Sequence, residues 1–134
     1  MILQPRRSVI HLKRHRHNAN IIANMGADPN RLGEVEQLVL LAVLRLEGDA
    51  YAVPIRDMIE SHTGIALARG SIYITLDRLE QKGLVDSTMS EPTPEPGGKS
   101  RRVFRIRPAG IAALRAARRA VDRLAAGTLL RRKT

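Results

Sequence analysis

Cysteine and tryptophan are both absent from this 134-residue chain, and Tyr51, Tyr73 and Phe104 are its only aromatic side chains. Without a thiol there is no disulfide framework, no thiolate nucleophile and no cysteine-ligated zinc. Acids are few: 13 Asp and Glu stand against 23 Lys and Arg, a formal net charge of +10. Long apolar runs are missing as well. No stretch approaches the roughly 18 residues of a membrane span. Residues 1–24 hold Arg6, Arg7, Lys13, Arg14 and Arg16 and no acid, but lack the apolar core of about 7 to 15 residues that a secretory signal needs. The expectation is a cytoplasmic protein with no membrane partner. The chain also shows no nucleophile, base and acid in a set, no paired carboxylates in an apolar frame and no cofactor loop, so neither catalysis nor a cofactor is expected.

What is present is positive charge and periodic apolar patterning. A net charge of this size attracts anions such as DNA, RNA or an acidic surface, although a merely soluble basic protein carries the same field. The cations are mostly Arg, suited to bidentate contact with phosphate and guanine. With 43% hydrophobic residues, the chain can bury one modest core. Residues 1–31 are basic and aperiodic, broken by Asn18, Asn20, Asn24, Gly26, Asp28, Pro29 and Asn30, and read as a flexible arm able to grip phosphates. An alternative is an extension ahead of a start at Met25. His11, His15 and His17 lie in this arm without carboxylate or cysteine support, which favours a solvated tract over a metal site.

Glu34 to Leu46 is apolar nearly all round and predicts a helix buried on more than one side. Gly48-Asp49 ends it. Tyr51 to His62 resumes helical spacing through Val53, Ile55, Met58 and Ile59, with Pro54 placing the helix start near Ala52 or Val53. His62, near that helix's end, is expected to interact with the helix terminus. Thr63-Gly64 breaks the chain, and Ile65-Ala66-Leu67 reads as a very short strand. From Ser71 to Lys82, Ile72, Leu76 and Leu79 form the inward stripe, while Ser71, Thr75, Arg78 and Lys82 are expected to point outward. Gly83 supplies a left-handed stop, and Leu84-Val85 begins a strand.

Leu84 to Met89 and Val103 to Arg107 predict the two strands of a hairpin, joined by a tip in which Pro92, Pro94 and Pro96 exclude sheet. Its return side carries Lys99, Arg101 and Arg102, expected to neutralise DNA phosphates. Gly98-Lys99-Ser100 matches the end of a phosphate-binding loop, but Thr93 stands where the first glycine is needed and a strand follows, so nucleotide binding fails. Pro108 opens a last helix at its first position. There Leu114, Ala117, Val121 and Leu124 form a seam of about two heptads, too short to be stable unpacked, which must pack on its own domain, on a second copy, or on both.

Two short helices, the second followed by a hairpin, make a winged helix-turn-helix pattern. Beside this pattern the chain holds, in order, Leu32-Gly33-Glu34, Tyr51, Gly70-Ser71-Ile72-Tyr73 followed by Leu76, Arg78-Leu79-Glu80 and Lys82-Gly83-Leu84-Val85, then Gly98-Lys99-Ser100-Arg101-Arg102, and Pro108-Ala109-Gly110 with Ala113-Leu114. In these blocks the chain resembles the PadR family of bacterial transcriptional regulators. The resemblance implies a mainly α fold with a small β-hairpin (α+β), organised as a winged helix-turn-helix over residues 32–107, a dimerisation helix over residues 108–127 and a basic tail over residues 128–134. It implies a homodimeric repressor binding double-stranded DNA at a near-palindromic operator, in the bacterial cytoplasm and nucleoid-associated when bound. Relief by a small-molecule effector or another signal at the dimer interface is implied too. Arg69, Gly70, Ser71, Tyr73, Thr75 and Arg78 on the recognition helix and Lys99, Ser100, Arg101 and Arg102 on the wing are the expected DNA contacts. Arg78 is also placed to pair with Asp77 or Glu80. Leu114, Ala117, Val121 and Leu124 are the expected dimer contacts. In three places the chain departs from the family pattern: Ala68 replaces a capping serine, Val103-Phe104 an aromatic pair, and Arg107 a threonine. The alternatives are a winged-helix module that binds protein and a non-specific RNA- or nucleoid-binding protein.

Overall fold

Each helix boundary follows from a local backbone device. In the computed structural model, which describes residues 31–131 apart from Thr93 and Glu95, helix α1 spans Glu34–Leu46. Its entry is set by Glu36, whose Oε1 accepts the Gly33 N–H at 2.9 Å, the carboxylate half of a capping box. It ends through left-handed Glu47 (φ 32°) and Gly48 (φ 97°). Helix α2, Ala52–Thr63, stops at Gly64 (φ 76°), whose N–H donates to Glu60 O at 2.8 Å. Helix α3, Arg69–Gln81, closes in a Schellman motif around left-handed Gly83: the Leu84 N–H donates to Leu79 O at 3.0 Å and the Gly83 N–H to Glu80 O at 2.9 Å.

Strands β1 (Val85–Met89) and β2 (Arg102–Ile106) pair antiparallel, Val85 opposite Ile106 and Met89 opposite Arg102. Helix α4, Pro108–Ala125, starts with Pro108 in its first turn, and Leu129–Arg131 adds a 3-10 turn. The order is helix, helix-turn-helix, hairpin, helix: a winged helix. Its core is filled by Leu40 from α1, Ile55 from α2, Ile72, Leu76 and Leu79 from α3, and Leu84, Val85 and Phe104 around the hairpin, all fully buried. Among the described residues no helix is long and apolar enough to cross a membrane.

Residues 1–30 of the expected arm, with its three histidines, lie outside the described residues. Four expectations are corrected. Ile65-Ala66-Leu67 is a loop, not a strand. The Ile65 N–H donates to Thr63 Oγ1 at 3.0 Å, and the outer edge of β2 is already met by Ala50, whose carbonyl accepts the Phe104 N–H at 2.8 Å. Thr75 is buried rather than outward, because it lies three residues after Ile72 and four before Leu79, within a stripe wider than its three apolar members. Lys82 turns inward, its Nζ 2.9 Å from Glu36 Oε2. Leu114 is buried in its own domain, with Ala117 packed partly against that core. Only Val121 and Leu124, 63% and 85% exposed, continue the seam on the surface.

Candidate nucleic-acid interface

Packing α3 through Ile72, Thr75, Leu76 and Leu79 fixes which residues it presents. Arg69, Gly70, Ser71, Tyr73, Ile74, Asp77 and Arg78 are exposed. Tyr73 is 44% exposed, so its phenol does not tuck beneath the helix, and Ile74 is 60% exposed. Ile74 is absent from the expected contacts, since periodicity marks it only as another apolar residue. Its exposure on the polar face of α3 is visible only once the inward stripe is placed. The N-cap of α3 is Ala68, which offers no side-chain acceptor to the first turn.

The wing's return side faces this helix. Arg69 and Tyr73 from α3, Tyr51 and Val53 at the start of α2, and the segment Gly97–Arg102 line one open concavity. Lys99, Ser100 and Arg101 are exposed there. The Arg101 guanidinium lies 4.8 Å from the centroid of the Tyr51 ring, a cation–π contact that orients the side chain while leaving its N–H groups accessible. Its backbone N–H donates to Ser90 Oγ at 2.9 Å, and Ser90 N–H donates to Arg101 O at 2.7 Å, closing the hairpin beyond the last ladder pair. Tyr51 is thus a part of the site that its sequence position, at the mouth of α2, did not reveal.

Arg102 behaves differently from its neighbour. Its Nη1 donates to Asp77 Oδ1 at 2.8 Å, Nη2 to Glu80 Oε1, and Nε to Ser87 Oγ at 3.2 Å. The guanidinium carbon sits 4.8 Å from the centroid of the buried Phe104 ring. The hydrogen bond to Asp77, with that to Glu80 beside it, raises the Arg102 pKa above its ordinary value. Asp77 and Glu80 are therefore taken by Arg102 from the wing, not by adjacent Arg78 as expected, and Arg78 projects from the exposed face.

A second, apolar groove runs between α1 and α2, lined by Leu38, Leu41, Leu44, Met58 and Ile59 with Arg45 and His62 at its rim. His62 does engage its helix end: Nδ1 is 3.1 Å from Met58 O, and Nε2 is 3.1 Å from Arg45 Nη2.

The profile of the transcriptional regulator PadR-like family matches residues 40–116. A transcriptional regulator of Mycobacterium tuberculosis is 43% identical over 65 residues, 48% of this chain and 57% of that protein. The chain thus spans little more than half the length of this curated relative. A transcriptional regulator from Clostridium thermocellum superposes with a TM-score of 0.58 at 26% identity, over 68% of this chain and 85% of that one. A PadR family transcriptional regulator from Eggerthella lenta does so with a TM-score of 0.53 at 25% identity, over 88% of this chain and 99% of that one. With the matched span covering α2, α3 and the wing in full, the chain belongs to the PadR-like family of transcriptional regulators.

Proposed function

We propose that the protein is a homodimeric, sequence-specific DNA-binding repressor that reads a near-palindromic operator. The observation that carries this is the concave basic face between the exposed half of α3 and the wing, with Arg69, Lys99 and Arg101 around it. In this reading α3 enters a major groove. Gly70 lets the backbone approach closely, Ser71, Tyr73 and Arg78 reach base edges or phosphates, and Ile74 packs on a thymine methyl. Arg69, Lys99, Ser100 and Arg101 hold the phosphates alongside, supplying affinity more than sequence choice. Thr75, being buried, shapes the helix instead of touching DNA. A second copy joins through the exposed end of the α4 seam, Val121 and Leu124, spacing two recognition helices by about one DNA turn.

The test is fluorescence anisotropy of the full-length protein on DNA from immediately upstream of its own gene, at near-physiological salt with excess unrelated duplex. Binding at about 10⁻⁸ M or tighter that survives the competitor supports a specific regulator. Binding that collapses equally for every sequence as salt rises leaves charge alone responsible and favours the non-specific reading. No duplex binding at all favours the protein-binding module.

A further inference from the structure

We propose that Arg102 is a positioning residue: a strut between wing and recognition helix that sets where Lys99 and Arg101 meet DNA, and that it binds no phosphate itself. The inference rests on the DNA-binding reading above. Arg102 was an obvious phosphate ligand by charge, yet three of its N–H groups are committed to Asp77, Glu80 and Ser87. The Ser87 hydroxyl in turn donates to Glu80 Oε2 at 2.9 Å, so both Glu80 oxygens are engaged. The node therefore ties two residues one turn apart on α3 to both strands of the wing.

Its charge argues the same way. Two carboxylates face one guanidinium, so a phosphate arriving here meets a net negative cluster. An Arg102 side chain that swung out to DNA would leave Asp77 and Glu80 uncompensated beside a polyanion. Arg101, one residue earlier, carries none of these ties. Its guanidinium rests on Tyr51 at the open concavity. Adjacent arginines on an extended chain thus divide the work: one binds and one holds the binder in place.

The experiment uses the full-length protein and two duplexes, one enriched by wild-type protein from a random-sequence pool and one arbitrary. The salt dependence of binding is measured for wild type, Arg101→Gln, Arg102→Gln and Arg102→Lys, with urea midpoints to confirm that each is folded. Loss of a phosphate contact lowers the slope of log affinity against log salt by about 0.9, which is expected for Arg101→Gln. Arg102→Gln is expected to leave that slope unchanged while the preference for the selected duplex falls on the order of tenfold, the scale of one misplaced base contact. Arg102→Lys is expected to lose the same preference, because an ammonium cannot fork between two carboxylates and a hydroxyl. An unchanged preference in Arg102→Gln, a slope falling as in Arg101→Gln, or full rescue by lysine would each overturn the strut. Wild-type protein that enriches no sequence would overturn the DNA-binding reading and the strut with it.

Discussion

Gly110 fixes how α4 is seated, and adding one methyl group there measures that seat. A Cβ built on Gly110 would lie 2.4 Å from the Leu84 carbonyl oxygen, 2.8 Å from Ile106 Cγ1 and 3.3 Å from the Leu84 carbonyl carbon. The nearest obstacle is backbone, and it is already held in place: Leu84 O accepts the Arg107 N–H at 2.9 Å. Admitting the methyl requires the first turn of α4 to lift by about 1 Å, because contacts below about 3 Å are repulsive and packed interiors have no room to yield. Overpacking of this kind costs about 1–3 kcal/mol, and loss of the Arg107 hydrogen bond adds about 1 kcal/mol. Alanine's better helix propensity returns at most about 1 kcal/mol. The net expectation for Gly110→Ala is a loss of about 1–3 kcal/mol. For a folded unit of this size that is roughly 4–12 °C in melting temperature. Gly70 is the matched control. It is also helical, but nothing lies within 4 Å of its built Cβ, so Gly70→Ala is expected to stabilise by about 0.5–1 kcal/mol. Both are read by circular-dichroism melts and urea midpoints at one fixed protomer concentration, since association shifts apparent stability. Equal or higher stability in Gly110→Ala would refute the close contact between α4 and Leu84.

Replacing Lys82 by Met leaves the Glu36 carboxylate, whose side chain is 9% exposed, without its cation. The unfolding free energy read from urea titration is expected to fall by about 2–3 kcal/mol, below the full cost of breaking a buried pair because Lys82 itself is partly solvated. Adding Glu36→Gln should return part of it, and a double variant no more stable than Lys82→Met would remove the ion pair from the account. Val121→Glu combined with Leu124→Glu is expected to yield a monomer by sedimentation with the domain still folded. Leu114→Ala is instead expected to cost about 2–5 kcal/mol as a core cavity. A double glutamate variant that sediments as the wild type does would rule out the exposed seam as the dimer contact. Truncation after Pro108 is a poorer test, since it uncovers the core that Leu114 closes. Replacing operator thymine by uracil removes one methyl, worth about 0.8 kcal/mol or about fourfold in affinity, at the position Ile74 covers. Ile74→Ala should show no further loss on the uracil duplex, and additive losses would place Ile74 away from that methyl.

The elements were legible in the chain because their ends are written locally. Gly64, Gly83 and Pro108 each stop or start a helix through the conformation of one residue, and such signals need no knowledge of the remainder of the fold. The failures share a different cause. Periodicity locates the centre of a helix's apolar stripe but not its width, so it puts Thr75 on the wrong side of a boundary that only the packed neighbours draw. The same limit hid the division of the α4 seam, where Leu114 is buried and Leu124 is 85% exposed although both fit one heptad pattern. A repeat shows that a face is apolar and says nothing of which partner covers each stretch. Ile65-Ala66-Leu67 has strand-forming composition, but Ala50 is what meets the edge of β2 at Phe104.

Charge was the least legible property, and the reason bears on function. The ion pairs that matter join residues far apart in sequence, Lys82 with Glu36 and Arg102 with Asp77 and Glu80, so no local window reveals them. A count of basic residues treats Arg101 and Arg102 as equivalent. The fold separates them by their partners: both line the concavity, but Arg101 rests on the Tyr51 ring while Arg102 is bound to Asp77, Glu80 and Ser87. Neutralising Arg102 against two acids subtracts it from the charge available to a polyanion. It also makes the remaining cations of the wing geometrically dependent on α3. Positive charge alone would give an affinity without a register. Tying the wing to α3 through Glu80 converts the same charge into a fixed spacing between Arg69 on one side and Lys99 and Arg101 on the other, and a fixed spacing is what distinguishes a DNA reader from a merely basic protein.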